Sequence, residues 1–302
     1  MKKNELELYL LKSLRDKVGE ECEVSAISVL KNNNTKLRAF RFVKKDTVLS
    51  PTIYLNQYYS MYDDGMDEES LAVRIFEDYK ASVKDDVPDL SFFFEYEKMR
   101  EPLMCKIINV SRNKEILKGI PYIPFLDLAI VFYCRVGLSD RQTGTVLIRN
   151  DHFNMWNVST EDMYKDALEN NRRILGISAR PITEVMIDLL RMIYNVEAED
   201  DDMVEIDDLP MYVLTNNSGL NGAACMLDCA FMEGFGEKIG GSFFILPSSV
   251  HEIIIIPENQ AVSIDHLKDM VRLINKTEVP REEVLSDEVY LYDYSKKAVA
   301  FA

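Results

Sequence analysis

The sequence has few residues that interrupt a packed fold and no long apolar run. Only 12 glycines and 10 prolines occur among 302 residues, whereas 47% of the residues are hydrophobic, so a sizeable core can form and disorder is excluded. The most apolar stretch, Phe125–Cys134, contains Asp127 and is about half as long as a membrane span. The first 18 residues lack the apolar centre of a signal peptide. We therefore expect a cytoplasmic protein with no membrane association.

Cysteine and histidine are too few and too scattered for a disulfide framework or a metal site. The five cysteines are odd in number and lie mostly in apolar segments, which is typical of buried free thiols in a reducing compartment. His152, His251 and His266 show no metal-ligand spacing. Cys225 and Cys229 are predicted to share one helical face, but no second Cys or His pair completes a tetrahedral site. We expect no bound metal.

Basic charge is scarce except near the N-terminus. The formal net charge is −16, but residues 1–50 carry eleven Lys and Arg against seven Asp and Glu, so residues 51–302 carry −20. A surface this acidic repels phosphate backbones, and nucleic acid is not an expected partner. The alternative is a nucleic-acid patch on a predicted N-terminal hairpin, formed by Lys31, Lys36, Arg38, Arg41, Lys44 and Lys45.

The periodicity of apolar residues predicts an α+β fold that begins with a small lobe over residues 1–88. A helical stripe of leucines comes first, followed by three strand-like segments and a helix that Asp67 caps. The strand-like segments are Cys22–Leu30, Leu37–Val43 and Val48–Leu55. The order αβββα is therefore predicted, and the polar segment Lys84–Asp89 is the expected boundary.

Residues 100–302 are predicted to form a larger domain with a mixed β-sheet. Two strands followed by a helix recur at 128–175 and 243–276, as they do at 36–82 in the first lobe, which indicates a preference for ββα units. Residues 197–208 hold eight carboxylates and no Lys or Arg, and they lack the Asp and Gly spacing of a calcium loop. This segment is therefore expected to be an acidic, solvated loop.

The segment Pro247–Glu252 offers the one combination of hydroxyl, imidazole and carboxylate groups that could support catalysis. The candidate residues are Ser248, Ser249, His251 and Glu252. Because side chains alternate along a strand, Ser249 and His251 would share a face, whereas His251 and Glu252 would not. The glycines of a nucleophile elbow are absent, so a structural turn is favoured over hydrolytic chemistry.

The turn between a predicted strand and a helix at residues 216–222 is a candidate ligand site. Its candidate residues are Asn216, Ser218, Gly219 and Gly222. Backbone N–H groups at a helix N-terminus bind anions, but the turn has no lysine and does not match the phosphate-binding loop. Gly234–Ile239 resembles part of a dinucleotide fingerprint, but it lies within a helix and lacks the third glycine. No cofactor is therefore expected.

Seven stretches of the sequence together resemble an uncharacterised family of domains of unknown function that is common in gut clostridia. They are Asp89–Phe93, Lys106–Asn109 with Arg112 and Asn113, Phe125–Tyr133, His152–Trp156, Met211–Asn216, Ile245–Glu252 and Val284–Tyr290. The resemblance covers nearly the whole chain, and it implies no activity, cofactor or catalytic residue. The order of elements after Cys105 is also similar to that of a second uncharacterised bacterial family, which implies a shared fold only.

Two main functional hypotheses follow. The favoured one is a non-enzymatic binding or adaptor protein with a protein partner, because no catalytic constellation is complete, the surface is acidic, and the αβββα lobe is similar in plan to small acidic chaperone-like modules. The alternative is a serine-type hydrolase or transferase that uses Ser249 or Ser248 with His251 and binds an anion at the 216–222 turn. Nucleic-acid binding through the N-terminal basic residues is the third hypothesis.

Overall fold

A computed structural model describes residues 3–45, 50–83, 91–139, 142–194, 210–260 and 263–302. The chain is divided into two compact units, which consist of residues 1–90 with 137–143 and of residues 91–136 with 144–302. The predicted α+β class is confirmed. The acidic segment 197–208, the start of the predicted third strand at 48–49 and the predicted boundary at 84–89 lie outside the described residues.

The described residues of the first unit form an antiparallel sheet and three α-helices. Its elements are α1 (Lys3–Val18), β1 (Cys22–Leu30), β2 (Lys36–Lys44), β3 (Thr52–Tyr54), α2 (Asn56–Asp63) and α3 (Glu68–Ser82). The strands pair in the order β1-β2-β3. The short helix α2 is additional to the αβββα order that the sequence predicts. It contributes Tyr58, which is fully buried and donates a hydrogen bond to Asp78.

The core of the first unit follows from the spacing of its apolar residues. Leu6, Leu10 and Leu14 recur every four residues of α1, so they project from one face, and all three are completely inaccessible to solvent. They pack against residues of the sheet and of α3. Phe42 of β2 stacks on Tyr79 of α3 with ring centroids 4.0 Å apart. The helical stripe that the sequence predicts is therefore the buried face.

The remaining chain alternates short helices with strands. Its elements are α4 (Tyr96–Met99), β4 (Leu103–Asn109), α5 (Lys114–Leu117), β5 (Tyr122–Phe125), β6 (Leu128–Ser139), β7 (Gln142–Leu147), α6 (Asn150–Met155), α7 (Thr160–Asn170), β8 (Ser178–Pro181), α8 (Ile182–Tyr194), β9 (Tyr212–Thr215), α9 (Cys229–Ile239), β10 (Phe243–Leu246), β11 (Ile253–Pro257), α10 (Ile264–Thr277), β12 (Tyr290–Asp293) and β13 (Ala298–Phe301). A π-helical turn, Asn171–Leu175, extends α7.

These strands form two sheets, whereas the sequence predicts one mixed sheet. One sheet has the order β13-β12-β10-β11-β9-β8, and the other has the order β4-β6-β5 with β7 also paired to β6. Every strand register that the structure describes in these sheets is antiparallel. Strand β11 begins at Ile253, so Glu252 precedes it.

Helices cover both faces of the six-stranded sheet. On one face Leu267 and Val271 of α10 pack with Phe244 and other buried residues of the sheet. On the other face Phe235 of α9 meets Phe243 edge-on, with ring centroids 5.7 Å apart. This double coverage explains why residues 253–256 are uninterrupted isoleucines, since three of them are buried and Ile254 is partly buried.

The helix predicted between residues 222 and 239 is interrupted. Gly222–Leu227 forms a 3-10 turn, and α9 begins only at Cys229, where the Asp228 carboxylate caps the helix by accepting a hydrogen bond from the Phe231 N–H (2.9 Å). The prediction that Cys225 and Cys229 share a helical face is therefore wrong. Cys229 is exposed, whereas Cys22, Cys105 and Cys134 are buried, and all five cysteines are free thiols.

A carboxylate, Asp127, joins the two sheets of the second unit. It lies in the turn between β5 and β6 and accepts hydrogen bonds from Asn109 Nδ2 (3.1 Å), Ser286 Oγ (2.7 Å) and the Tyr290 hydroxyl (2.7 Å). Asn109 ends β4, whereas Tyr290 begins β12 of the other sheet. All three donors are at least 96% buried, so the carboxylate satisfies groups that water cannot reach. Burial, followed by the charge of Asp127, raises the pKa of Tyr290, which therefore remains a donor.

We predict that Asp127→Ala lowers the free energy of unfolding by about 3–5 kcal/mol, because it leaves three buried donors without an acceptor. Tyr290→Phe removes one donor and keeps the carboxylate paired, so about 1–2 kcal/mol is expected. Urea denaturation followed by far-UV circular dichroism measures both. Asp269→Ala, which changes an exposed side chain of α10, is the control. Equal destabilisation by Asp127→Ala and Asp269→Ala would contradict the role of the Asp127 carboxylate.

Candidate functional site

The two turns that contain the predicted site residues meet at the ends of two neighbouring strands of the six-stranded sheet. The 216–222 turn follows β9, the 247–252 turn precedes β11, and these strands pair with Leu214 opposite Ile253. Thr215 Oγ1 donates a hydrogen bond to the His251 carbonyl oxygen (2.8 Å), and the Asn221 N–H donates to His251 Nδ1 (3.1 Å). The two groups of candidates, which the sequence leaves separate, are therefore neighbours.

Gly222 makes this close approach possible. A Cβ atom at this position would lie 2.1 Å from Thr215 Oγ1, 2.4 Å from the His251 carbonyl oxygen and 2.8 Å from the Asn216 nitrogen. Two of these three atoms belong to the backbone and cannot rotate away. The glycine is therefore required for packing between the turns, which is a different role from ligand binding.

Hydrogen bonds within the 216–222 turn use the groups that could bind an anion. Asn216 Oδ1 accepts from the N–H (2.9 Å) and the hydroxyl (2.7 Å) of Ser218, and Asn216 Nδ2 donates to the Leu220 carbonyl oxygen. The Gly219 N–H donates to the Asn216 carbonyl oxygen, and the Leu220 N–H donates to Ser218 Oγ. The turn also leads into a 3-10 segment rather than an α-helix, so the N-terminal helix geometry that favours anions is absent from these residues.

Ser249 and His251 share a hydrogen bond, but it runs through the backbone. The Ser249 hydroxyl oxygen accepts from the His251 main-chain N–H at 3.0 Å, and Ser249 is 93% buried. Because His251 Nδ1 accepts from Asn221, a neutral imidazole carries its proton on Nε2. Within the described residues the imidazole has no hydrogen bond to either serine hydroxyl, so it is not placed as a base for Ser249.

The acidic neighbour of the imidazole is Glu283, which sequence reasoning missed. His251 Nε2 lies 3.7 Å from Glu283 Oε1, whereas the predicted candidate Glu252 is exposed and uses its carbonyl oxygen to accept from the Ser249 N–H. The Val250 N–H donates to the Glu283 carbonyl oxygen (2.8 Å), which holds the two segments together. No local pattern in the sequence connects residues 251 and 283. The remaining candidate, Ser248, is half-buried.

A crevice beside the turns contains a charged pair that the sequence analysis did not identify. Arg172 Nε and Nη2 bind the two carboxylate oxygens of Asp228 at 2.6 and 2.7 Å. Burial acts to raise the pKa of Asp228, but the hydrogen bonds from Arg172 and Phe231 outweigh it and lower this pKa. The crevice has a volume of about 10 Å³, enough for roughly one water molecule. It is too small to bind an organic substrate.

Neither a metal site nor a membrane-spanning helix is found in the part of the chain that the structure describes. In the described residues no group of three His, Cys, Asp or Glu side chains could hold a metal ion. None of the described helices combines the length and hydrophobicity needed to cross a bilayer. In the N-terminal basic cluster, Arg38 forms a salt bridge with Glu7, and Lys31 lies 4.3 Å from the centroid of the Tyr54 ring. Both of these side chains are therefore engaged within the first unit.

The fold and the site together define an α+β protein with antiparallel sheets, in which the polar turns form a hydrogen-bonded structural junction. A model described as a family of unknown function, DUF5688, matches residues 4–294, and the chain belongs to this family. The resemblance to a family of unknown function is thus confirmed. No curated protein and no solved structure gives a significant match to the chain.

We predict that Gly222→Ala lowers the free energy of unfolding by about 1–3 kcal/mol, because the added methyl group forces the two turns apart. The hydrogen bond from Asn221 to His251 should lengthen, and the imidazole ¹⁵N resonances should move. Gly234→Ala is the matched control, since its Cβ would have no neighbour within 4 Å and alanine is favoured within a helix. Equal stability of the two variants in urea denaturation would show that the turns are not closely packed.

Proposed function

We propose that the protein is a non-enzymatic cytoplasmic binding protein whose partner is another protein. The observation that carries the proposal is the exposure of α8, a strongly apolar helix. None of its side chains from Ile182 to Ile193 is buried. Monomeric proteins rarely leave a contiguous apolar surface uncovered, and such surfaces commonly mark interaction sites. Five free thiols support a reducing compartment.

The exposed residues of α8 form a continuous stripe. Met186, Leu189 and Ile193 follow the spacing of one helical face and are 40%, 48% and 70% exposed. Met192 borders them and is 73% exposed. A helix with this pattern normally packs its apolar stripe against the core, whereas these side chains are open to solvent. We call these four residues the α8 stripe.

The charges next to the α8 stripe favour a protein partner over a lipid surface. The other side of α8 carries Glu184 and Asp188, both bonded to Arg180 of the preceding strand. Helices that lie on membranes usually present lysine and arginine on their polar face, because lipid headgroups are often anionic. Since residues 51–302 have a net charge of −20, the complementary partner is an apolar face edged with basic residues.

The two predicted domains, 1–88 and 100–302, would then be separate binding modules, and the α8 stripe belongs to the second. In an adaptor, separate domains carry separate interaction surfaces. Within the described residues, β8 is the last strand in the order of its sheet and the exposed helix α8 follows it, and both features are consistent with this role.

We predict that a synthetic 18-residue amphipathic peptide of leucine and lysine binds the full chain and that the double variant Met192→Asp/Ile193→Asp weakens this binding at least tenfold. The substitutions remove the apolar area that these two side chains bury on binding, and the new carboxylates would have to lose their hydration. Hydrogen exchange of residues 182–194 across a peptide titration gives the affinity of this surface, because their protection reports binding at α8 alone.

Leu273→Asp is the control for this experiment, because Leu273 is an exposed apolar residue of α10 (61% exposed) and its replacement adds a similar carboxylate. A second peptide with glutamine in place of leucine keeps the charge and removes the apolar face, so it should bind poorly. The proposal fails if the double variant and Leu273→Asp bind the first peptide equally, or if only anionic vesicles protect α8.

The contact between His251 and Glu283, next to Ser249, is the observation that favours the serine-type alternative. We predict that a fluorophosphonate probe leaves Ser248 and Ser249 unlabelled, because the Ser249 hydroxyl is buried and bonded to the main chain. Intact-protein mass spectrometry detects the adduct, with an active serine hydrolase as a positive control. Labelling that disappears in both Ser249→Ala and His251→Ala would establish the hydrolase or transferase alternative.

A further inference from the structure

A second open surface lies in the first unit, where α2 and α3 form a groove. Met61, Met66 and Val73 provide its apolar lining, and its volume is about 700 Å³. Met66 and Val73 are each 39% exposed, so the lining is accessible from solvent. A volume of this size lies within the range of clefts that bind ligands.

The sequence builds this groove by a tight connection between the two helices. The Met66 N–H donates to the Met61 carbonyl oxygen at 3.0 Å, and Gly65 supplies the positive φ of +101° that the turn needs. Asp67 then caps α3 by accepting from the Ser70 N–H at 2.9 Å. The two methionines are thereby fixed on either side of the turn and next to the first turns of α3.

The rim of the groove is acidic. Asp67, Glu69 and Glu77 line it together with Arg74, whose guanidinium pairs with Asp78 at 3.4 Å. Residues 63–78 contain seven Asp or Glu and one Arg, a formal net charge of −6. An apolar floor inside an acidic rim excludes phosphate-rich ligands and favours a cationic, amphipathic occupant.

We infer that the α2–α3 groove docks a basic amphipathic helix from a partner protein. A helix places apolar side chains at positions i, i+3, i+4 and i+7 on one face, which matches a groove that follows one helix of the binding protein. Methionine side chains are flexible and adapt to different apolar anchors. Lysine or arginine at the edges of the docked helix pairs with Glu69 and Glu77. This surface is independent of the α8 stripe and would give the protein two binding surfaces.

The test is a titration of the full chain with the leucine–lysine peptide, followed by NMR of ¹³C-methyl-labelled methionine. The methyl signals of Met61 and Met66 should shift on binding to the groove. The signals of Met186 and Met192 report on the α8 stripe in the same spectra, so failure of one surface is distinguished from failure of the other.

Val73→Asp is expected to weaken the binding that Met61 and Met66 report at least tenfold, and so is the charge reversal Glu69→Lys/Glu77→Lys. Val83→Asp is the matched control, because Val83 has a similar exposure (38%), lies outside the groove lining and directly follows the same helix. The proposal is overturned if Met61 and Met66 do not respond to the peptide, or if Val73→Asp behaves like Val83→Asp. Shifts that depend on protein concentration without peptide would also overturn it, since a second copy would then fill the groove.

Discussion

The packing of the second unit depends on Asp127, because buried hydrogen-bond donors need an acceptor and its carboxylate supplies one. One carboxylate receives an amide, a hydroxyl and a phenol from segments that are as far apart in sequence as Asn109 and Tyr290. The preceding residue, Leu126, has a φ of +55°. This left-handed backbone conformation is uncommon for residues other than glycine and asparagine. The turn that presents Asp127 is therefore held by the same contacts that join the two sheets, and the polar network orders the surrounding core.

The same requirement accounts for the hydrogen bonds within and between the polar turns at 216–222 and 247–252. Their hydroxyl, amide and imidazole groups lie where strands end and main-chain groups lose their sheet partners. Asn216 completes its own turn, Ser249 accepts from the main chain, and His251 accepts from Asn221. Each of these side chains replaces a hydrogen bond that a continuing strand would have made. In the sequence these residues suggest catalysis. In the structure their hydrogen bonds are consistent with a role in joining two strand ends.

Features fixed by neighbouring residues were predictable, and features fixed by distant contacts were not. Asp67, Ser159 and Ser263 all cap helices as their local patterns indicate. The strands β5 and β8 were missed because they are four residues long and each contains a proline. The meeting of the two candidate turns depends on the β9–β11 register, and the contact between His251 and Glu283 depends on tertiary packing, so neither has a signal in the local sequence.

The charge of the chain and its exposed apolar surfaces have to be considered together. An apolar surface on a neutral protein promotes association with many partners, including further copies of itself. A net charge of −16 opposes self-association, because two copies bring like charges together, and it attracts a cationic partner from a distance. In the proposed function, the exposed methionines on α8 and at the α2–α3 groove would supply short-range contacts that tolerate variation in the partner. Selectivity would come from the acidic surroundings and affinity from the apolar contacts, a division of roles that requires no catalytic residue.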